Sequence, residues 1–292
     1  LVEPLGGDYC RVHLGVLQDC LRAETFARLF ALSARHEECG REKLEAMLST
    51  LQAMAGAGEL PFSAQETAEA AEKWRKDGFP PLHHSEAFRK NYAPAYRVLR
   101  RDFARTLPLF ARIDRLTAEK DRVLVAIEGG SASGKTTLGE LLHCVYGCPV
   151  FHMDDFFLRS EQRTEERFAQ PGGNVDRERF LEEVLIPLRE ERPVDYRRFD
   201  CATFTVAPPQ KIEPGTLNIA EGAYSMHPDL APYYDLSVFL AISAEKQRER
   251  ILKRNAPAHA KQFFDRWIPL EQRYFDALDV QGRCDLVFSS DD

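Results

Sequence analysis

Apolar positions recur at helical spacing through the first part of the chain. Leu17, Leu21, Phe26, Leu29 and Phe30 form one stripe, and Leu44, Met47, Leu48, Leu51 and Met54 form another. Steps of three and four place such side chains on one helix face. Gly56, Gly58 and Pro61 break the second stripe. Ser63 followed three residues later by Glu66 reads as a capping box that starts a third helix, which Gly78 and Pro80-Pro81 terminate. A fourth helix is expected from Ser85, restarting at Pro94 and running through Tyr96, Val98, Leu99 and Phe103 towards Pro108, with a short helix over Phe110 to Leu116. No stretch here alternates convincingly as a strand, so an all-helical N-terminal domain is expected over residues 1–118. Leu107, Leu109, Phe110, Ile113 and Leu116 make its exit apolar. A free tether would be polar and rich in Gly or Ser, so this segment is expected to pack rather than swing.

From residue 119 the rhythm changes to short apolar runs alternating with amphipathic ones. Strands are expected at 122–128, 149–153, 216–221, 235–242 and 284–288, and helices at 135–145, 176–190, 244–254 and 260–278. Alternation of this kind predicts an α/β domain over 119–292, a mostly parallel sheet with helices on both faces. No internal repeat or low-complexity segment appears.

The first of these strands, Val123-Leu-Val-Ala-Ile127, runs directly into Glu128-GGSASGKTT-Leu138. Gly129, Gly134, Lys135 and Thr136 fit GxxxxGK[ST], with a strand before and Leu138, Leu141 and Leu142 at helical spacing after. The spacing answers a physical demand: the backbone must turn its N–H groups inward to cradle phosphate, with a lysine to reach the outer phosphates and a hydroxyl for Mg²⁺. A P-loop NTPase fold follows, with ATP and Mg²⁺ as expected cofactors. The cradle would comprise Gly129, Gly130, Ser131, Ala132, Ser133, Gly134, Lys135, Thr136 and Thr137, with Thr136 also on the metal.

Other candidate residues cluster at the ends of the expected strands. Asp154 and Asp155 follow the second strand, on the sheet rim that carries the phosphate loop. A carboxylate there can accept the proton of an attacking hydroxyl, meet Mg²⁺ through water, or cap the next helix. Glu221 ends another buried strand, where a carboxylate can serve Mg²⁺, and Gly222 beside it suggests close backbone approach. Arg248, Arg250 and Arg254 lie on the helix after the fourth strand. Spacing puts Arg250 and Arg254 on one face, where they could neutralise a transferring phosphoryl group; a solvated face is the alternative. Tyr196 and Arg198 could line an acceptor pocket, or lie at a sheet edge.

Taken in order, GGSASGKTT, Met153-Asp-Asp-Phe-Phe157, Gly173-Asn-Val-Asp176, Ile219-Ala-Glu-Gly222, the arginine-bearing helix and Arg266-Trp-Ile-Pro-Leu270 resemble the uridine kinase and phosphoribulokinase family, which includes nicotinamide riboside kinases. The resemblance covers residues 120 to 290. It implies ATP-dependent phosphorylation of a primary hydroxyl on a ribose-like acceptor. By position it implies Asp154 as the proton acceptor, Glu221 as the acid near Mg²⁺, Asp176 as a holder of ribose hydroxyls, and Asp155 as the second acid of an Asp-Asp pair. Lys135 and Arg250 complete the expected catalytic set, and Arg254 joins the nucleotide contacts. One departure puts plain uridine in doubt: Tyr196-Arg-Arg-Phe-Asp-Cys-Ala-Thr203 lacks the histidine that uridine kinases carry after their Tyr-x-Phe segment.

Composition narrows the alternatives. The net charge of −7 offers no basic footprint for nucleic acid, and no apolar run is long enough for a membrane span. Seven cysteines form no CxxC pair and no zinc spacing, so reduced thiols and a cytoplasmic setting are expected. Pro80-Pro-Leu-His-His-Ser-Glu86 and Tyr92-Ala-Pro-Ala-Tyr-Arg-Val98 are dense in ligand-binding side chains, with His83, His84, Tyr92 and Arg97 as candidates for a contribution to the acceptor site. A packed helical cap is the simpler reading. The partner is a small hydroxyl compound, and a homo-oligomer stays open. The competing class is a nucleotide-binding regulatory module with little turnover, which would need no base beside its phosphate loop.

Overall fold

The computed structural model describes residues 1–18, 21–35 and 40–291. Two units emerge, one of Leu1–Val16 with Ala27–Ala104 and one of Leu17–Phe26 with Arg105–Asp292.

In the first unit, β1 (Val2–Gly6) and β2 (Tyr9–His13) form an antiparallel hairpin, and β3 (Tyr96–Arg100) pairs antiparallel with β2. Cys10, Val12 and Leu99 are its buried side chains. The helices are α1 (Ala23–Arg35), through which the division passes, α2 (Arg41–Gly56), α3 (Ala64–Lys76), α4 (Glu86–Tyr92) and α5 (Arg101–Arg105). The capping box opens α3, with Glu66 N–H on Ser63 Oγ at 3.2 Å and Ser63 N–H on Glu66 Oε2 at 2.8 Å.

The expected all-helical domain is therefore corrected: it contains a three-stranded sheet. The fourth helix does not restart at Pro94. It stops at Tyr92 with Ala93 in the left-handed region (φ 41°), and Tyr96 to Arg100 extend to meet β2. Proline disfavours helix in the residue before it and cannot donate a helical hydrogen bond itself, so the chain leaves α4 extended. β1 is exposed at every position, so it carries no apolar alternation to betray it.

The second unit begins its regular structure with α6 (Leu107–Glu119), β4 (Val123–Gly129) and α7 (Lys135–Tyr146). The break between units thus falls before α6, not at 118. Next come β5 (Val150–His152), α8 (Glu165–Ala169), α9 (Arg177–Phe180) and α10 (Ile186–Arg189), with a π turn at Leu181–Leu185 joining the last two. The short strands β6 (Val194–Tyr196) and β9 (Gln210–Ile212) pair, as do β7 (Phe199–Asp200) and β8 (Thr205–Val206) between them. The chain closes through β10 (Leu217–Glu221), β11 (Leu236–Ala241), α11 (Ala244–Arg254), α12 (Pro257–Gln262), α13 (Ile268–Leu278) and β12 (Leu286–Ser289).

Five strands form one parallel sheet in the order β12-β11-β4-β10-β5. β4, β10 and most of β11 are buried, as strands covered on both faces must be. Leu124, Ala126, Ala220 and Phe239 face a cluster with Phe151, Phe180, Val184 and Tyr274, while Val123, Val125 and Ile127 alternate to the face met by α6 and α7. Because successive strands depart to either side of β4, the sheet changes direction beside it, and the carboxyl ends there are where open α/β sheets bind ligands. This is the expected P-loop α/β architecture. Among the described residues no helix is long and apolar enough to cross a membrane.

Candidate active site

The phosphate loop leaves β4 at Gly129, whose φ of 148° suits only glycine; a Cβ there would meet Leu240 O at 2.6 Å. Ala132 (φ 62°) and Gly134 (φ 97°) then turn the backbone left-handed, alternations that aim successive N–H groups inward. Lys135 opens α7 and rests its Nζ on Gly130 O at 2.9 Å, so the ammonium already lies against the loop. Thr136 and Thr137 are exposed at the helix start.

Side chains of α11 and α13 brace the loop from outside. Gln247 donates to Ser131 O at 2.9 Å and Arg250 to Ala132 O at 3.1 Å. Glu271, buried in α13, accepts from both Ser131 N–H at 2.8 Å and Ser131 Oγ at 2.5 Å. Burial pushes the Glu271 carboxyl up, with Lys135 and Ser131 opposing. Arg250 was a candidate for the transferring phosphoryl; its guanidinium is instead divided between Ala132 O and Ser290 O. Arg254 is exposed, its guanidinium 5.8 Å from the Phe263 ring centre. No described contact brings it to the loop.

Glu221, nearly buried at the end of β10, accepts from Thr136 Oγ1 at 3.1 Å and lies 2.6 Å from His152 Nδ1. That hydrogen bond raises the His152 pKa above its ordinary value, against the effect of burial. Gly222 does permit the close approach: a Cβ there would meet Met153 Cβ at 2.6 Å. A threonine hydroxyl and a carboxylate are the hard oxygen donors Mg²⁺ takes when phosphate and water complete its shell. Thr136 and Glu221 therefore fit as its protein ligands. Among the described residues no three His, Cys, Asp or Glu side chains converge on a metal cage of their own.

Asp154 and Asp155 differ sharply. Asp155 accepts from Tyr196 OH at 2.7 Å and lies 3.4 Å from Arg198 Nε. The Tyr196 ring is buried among Phe151 and Phe156, so it serves to hold Asp155. Asp154 has no hydrogen-bond partner among the described residues and caps no helix. Its side chain is exposed to solvent. Desolvation by the protein packed around it pushes its carboxyl up from its ordinary value; Lys135 opposes the rise, while Glu221 and Asp155 add to it. Asp176 is buried, caps α9 through Arg179 N–H at 3.2 Å, and keeps Oδ2 without a hydrogen-bond partner.

In the first unit, His84 is bonded to Tyr96 OH at 2.8 Å and stacked on Phe88, Tyr92 is exposed, and Arg97 lies over Phe30. Cys10, Cys144, Cys148, Cys201 and Cys284 are free thiols; Cys20 and Cys39 lie outside the described residues. The sequence reading missed Glu271, Gln247 and His152. A glutamate directly after Arg266-Trp-Ile-Pro-Leu270 was the available signal for the first.

No known family's sequence profile matches the chain. Solved structures similar to it include one described as a possible uridine kinase from Bacillus stearothermophilus, 22% identical over 62% of this chain and 99% of that one, with a TM-score of 0.45. Another is named as a fructose transport system kinase from Silicibacter sp. TM1040, 23% identical over 57% and 90% of the two chains, with a TM-score of 0.46. A third is D-glycerate 3-kinase from Cryptococcus neoformans var. grubii, 15% identical over 54% and 80%, with a TM-score of 0.38.

Proposed function

We propose that this chain is an ATP-dependent small-molecule kinase that moves the γ-phosphoryl group of MgATP to a hydroxyl of a nucleoside-like or other ribose- or sugar-like acceptor. The observation that carries this reading is Asp154, a carboxylate with no hydrogen-bond partner among the described residues, two positions after His152, whose Nδ1 lies 2.6 Å from Glu221. A nucleotide sensor has no use for such a group, whereas an attacking hydroxyl needs one to take its proton.

In this reading the acceptor oxygen bonds to the γ-phosphorus as the bond from that phosphorus to the β,γ-bridging oxygen breaks. The hydroxyl proton passes to Asp154. Lys135 and the loop N–H groups hold the β- and γ-phosphates and neutralise charge on the leaving diphosphate. Mg²⁺, when bound, supplies charge neutralisation between the phosphates. His152 fixes the Glu221 carboxylate, and Glu271 fixes the loop. Asp176, whose Oδ2 lies 3.4 Å from Arg159 Nε and 3.7 Å from Arg179 Nε, would meet a second acceptor hydroxyl by giving up part of that pairing.

The test is acceptor-dependent ADP release from MgATP across nucleosides, riboside vitamins, sugars, pantothenate and glycerate. At least one hydroxyl compound should raise ADP release far above the basal rate, and uridine and cytidine should be poor. ATP binding with no stimulation by any of them would favour the regulatory module.

A further inference from the structure

Arg159 and Arg163 follow Asp155 in the chain, and Arg198 follows β6. Two are drawn to acids: Arg159 Nε lies 3.4 Å from Asp176 Oδ2, and Arg198 Nε 3.4 Å from Asp155 Oδ2. Arg163 is different. Its Nε donates to Leu158 O at 3.0 Å, and its guanidinium lies over the Phe204 ring at 4.7 Å. Among the described residues no carboxylate approaches it within ion-pair distance. The side chain is half-buried, so one edge and one face of the fork are fixed while its two terminal nitrogens have no partner.

A short run of contacts ties this guanidinium to the residues beside Asp155. Phe204 stands at the tip of the hairpin formed by β7 and β8. The Phe204 ring lies 6.0 Å from that of Phe199, which follows Arg198 in the chain, and Arg198 Nε stands 3.4 Å from Asp155 Oδ2. A planar cation held on a ring, partly out of water and without a counter-charge, suits a two-oxygen anion that meets both terminal N–H groups at once. A neutral acceptor would leave that charge unmatched.

Resting on the kinase reading, we propose that the acceptor carries an anionic oxygen group, a carboxylate or a phosphate. Arg163 binds that group through its open edge while the acceptor hydroxyl faces Asp154, so Arg163 sets acceptor specificity.

Matched pairs separate the outcomes: D-glycerate with glycerol, pantothenate with panthenol, and ribose 5-phosphate with ribose, each assayed for ADP release. The charged member of at least one pair should exceed its neutral partner at least tenfold in kcat/KM. The pair that responds tells carboxylate from phosphate. For that acceptor, Arg163→Gln should raise KM about tenfold or more with kcat and the KM for ATP retained, and Arg163→Lys should recover part of the loss. Turnover of neutral members at equal or greater efficiency, or an Arg163→Gln enzyme with unchanged charge preference, would overturn the anion assignment and leave the kinase reading standing. A folded protein that neither binds ATP nor transfers phosphate would overturn both.

Discussion

Glu271 grips Ser131 of the phosphate loop at two points, its backbone N–H at 2.8 Å and its hydroxyl at 2.5 Å. The carboxylate thereby fixes the loop, and it does so from a helix far along the chain. Removing it leaves two polar groups of Ser131 to find other partners, at about 1–3 kcal/mol each where water is scarce. Glu271→Ala should therefore weaken ATP binding and lower thermal stability together. Glu271→Gln, which can still accept from the N–H, should do so less. Isothermal titration with ATP and a melting curve on both variants measure this. Unchanged affinity in Glu271→Ala would mean the loop holds its shape without the brace.

Lys135 is the only lysine in the loop, and its ammonium already lies on Gly130 O. Lys135→Ala should reduce phosphoryl transfer by about a hundredfold or more with the fold intact, since it removes charge stabilisation at the transferring group. Steady-state ADP release checks it, with circular dichroism confirming folding. Near-normal transfer would show that the loop does not work on phosphate.

These two residues show where the sequence was legible. The loop is written in glycines and a lysine because backbone conformation demands them at fixed spacing, and β4 and β10 are readable as apolar runs because both their faces are covered. Glu271 is marked only by its place directly after Arg266-Trp-Ile-Pro-Leu270. A glutamate after a proline in a helix reads as solvated, and only the folded chain brings it to Ser131, 140 positions away. Arg250 was read towards phosphate from its helix face, yet backbone carbonyls of the loop and of Ser290 claim it. β1 was invisible for another reason: a short strand exposed at every position lacks the alternation that burial of one face would impose.

Two buried groups predict the pH dependence of stability. Burial lowers His227 from 6.5 to about 4, with Arg177 adding to the fall. Between those values the unfolded chain binds the proton and the folded one does not, so this term makes stability rise with pH from about 4 to 6.5. Glu128 runs the other way. Complete burial raises it to about 7, although Gly129, Tyr224 and Met226 N–H groups and Tyr274 OH all donate to it. The folded protein then holds a proton that the unfolded chain releases above 4.5, so this term makes stability fall as pH rises to about 7. Each slope integrates to at most on the order of 3 kcal/mol. His227→Phe, which can keep the parallel packing on Tyr274, should remove the rising term and leave the falling one, read as the difference in urea midpoints at pH 4.5 and 6.5. Identical pH slopes in wild type and variant would contradict the assignment.

Asp114 is a buried carboxylate held by Arg22 N–H at 2.8 Å, Thr25 Oγ1 at 2.9 Å and Tyr146 OH at 2.9 Å. It ties residues 17–26, α6 and α7 into the second unit. Tyr146→Phe should cost about 1–3 kcal/mol of stability by denaturant titration, because it leaves a buried charge short of a donor. Asp114→Ala should cost more, since three donors lose one acceptor. If both variants melt with the wild type, water replaces the network and it holds nothing.

The account's central claim is that Asp154 takes the acceptor's proton, and Asp154→Asn tests it most directly. The amide keeps the shape of a side chain that makes no structural hydrogen bond among the described residues, so folding and ATP affinity should be preserved. Acceptor-stimulated ADP release, measured against the best acceptor of the wild-type protein, should fall by about 10²–10⁴-fold. A variant that binds ATP and still phosphorylates that acceptor at near the wild-type rate would contradict the account.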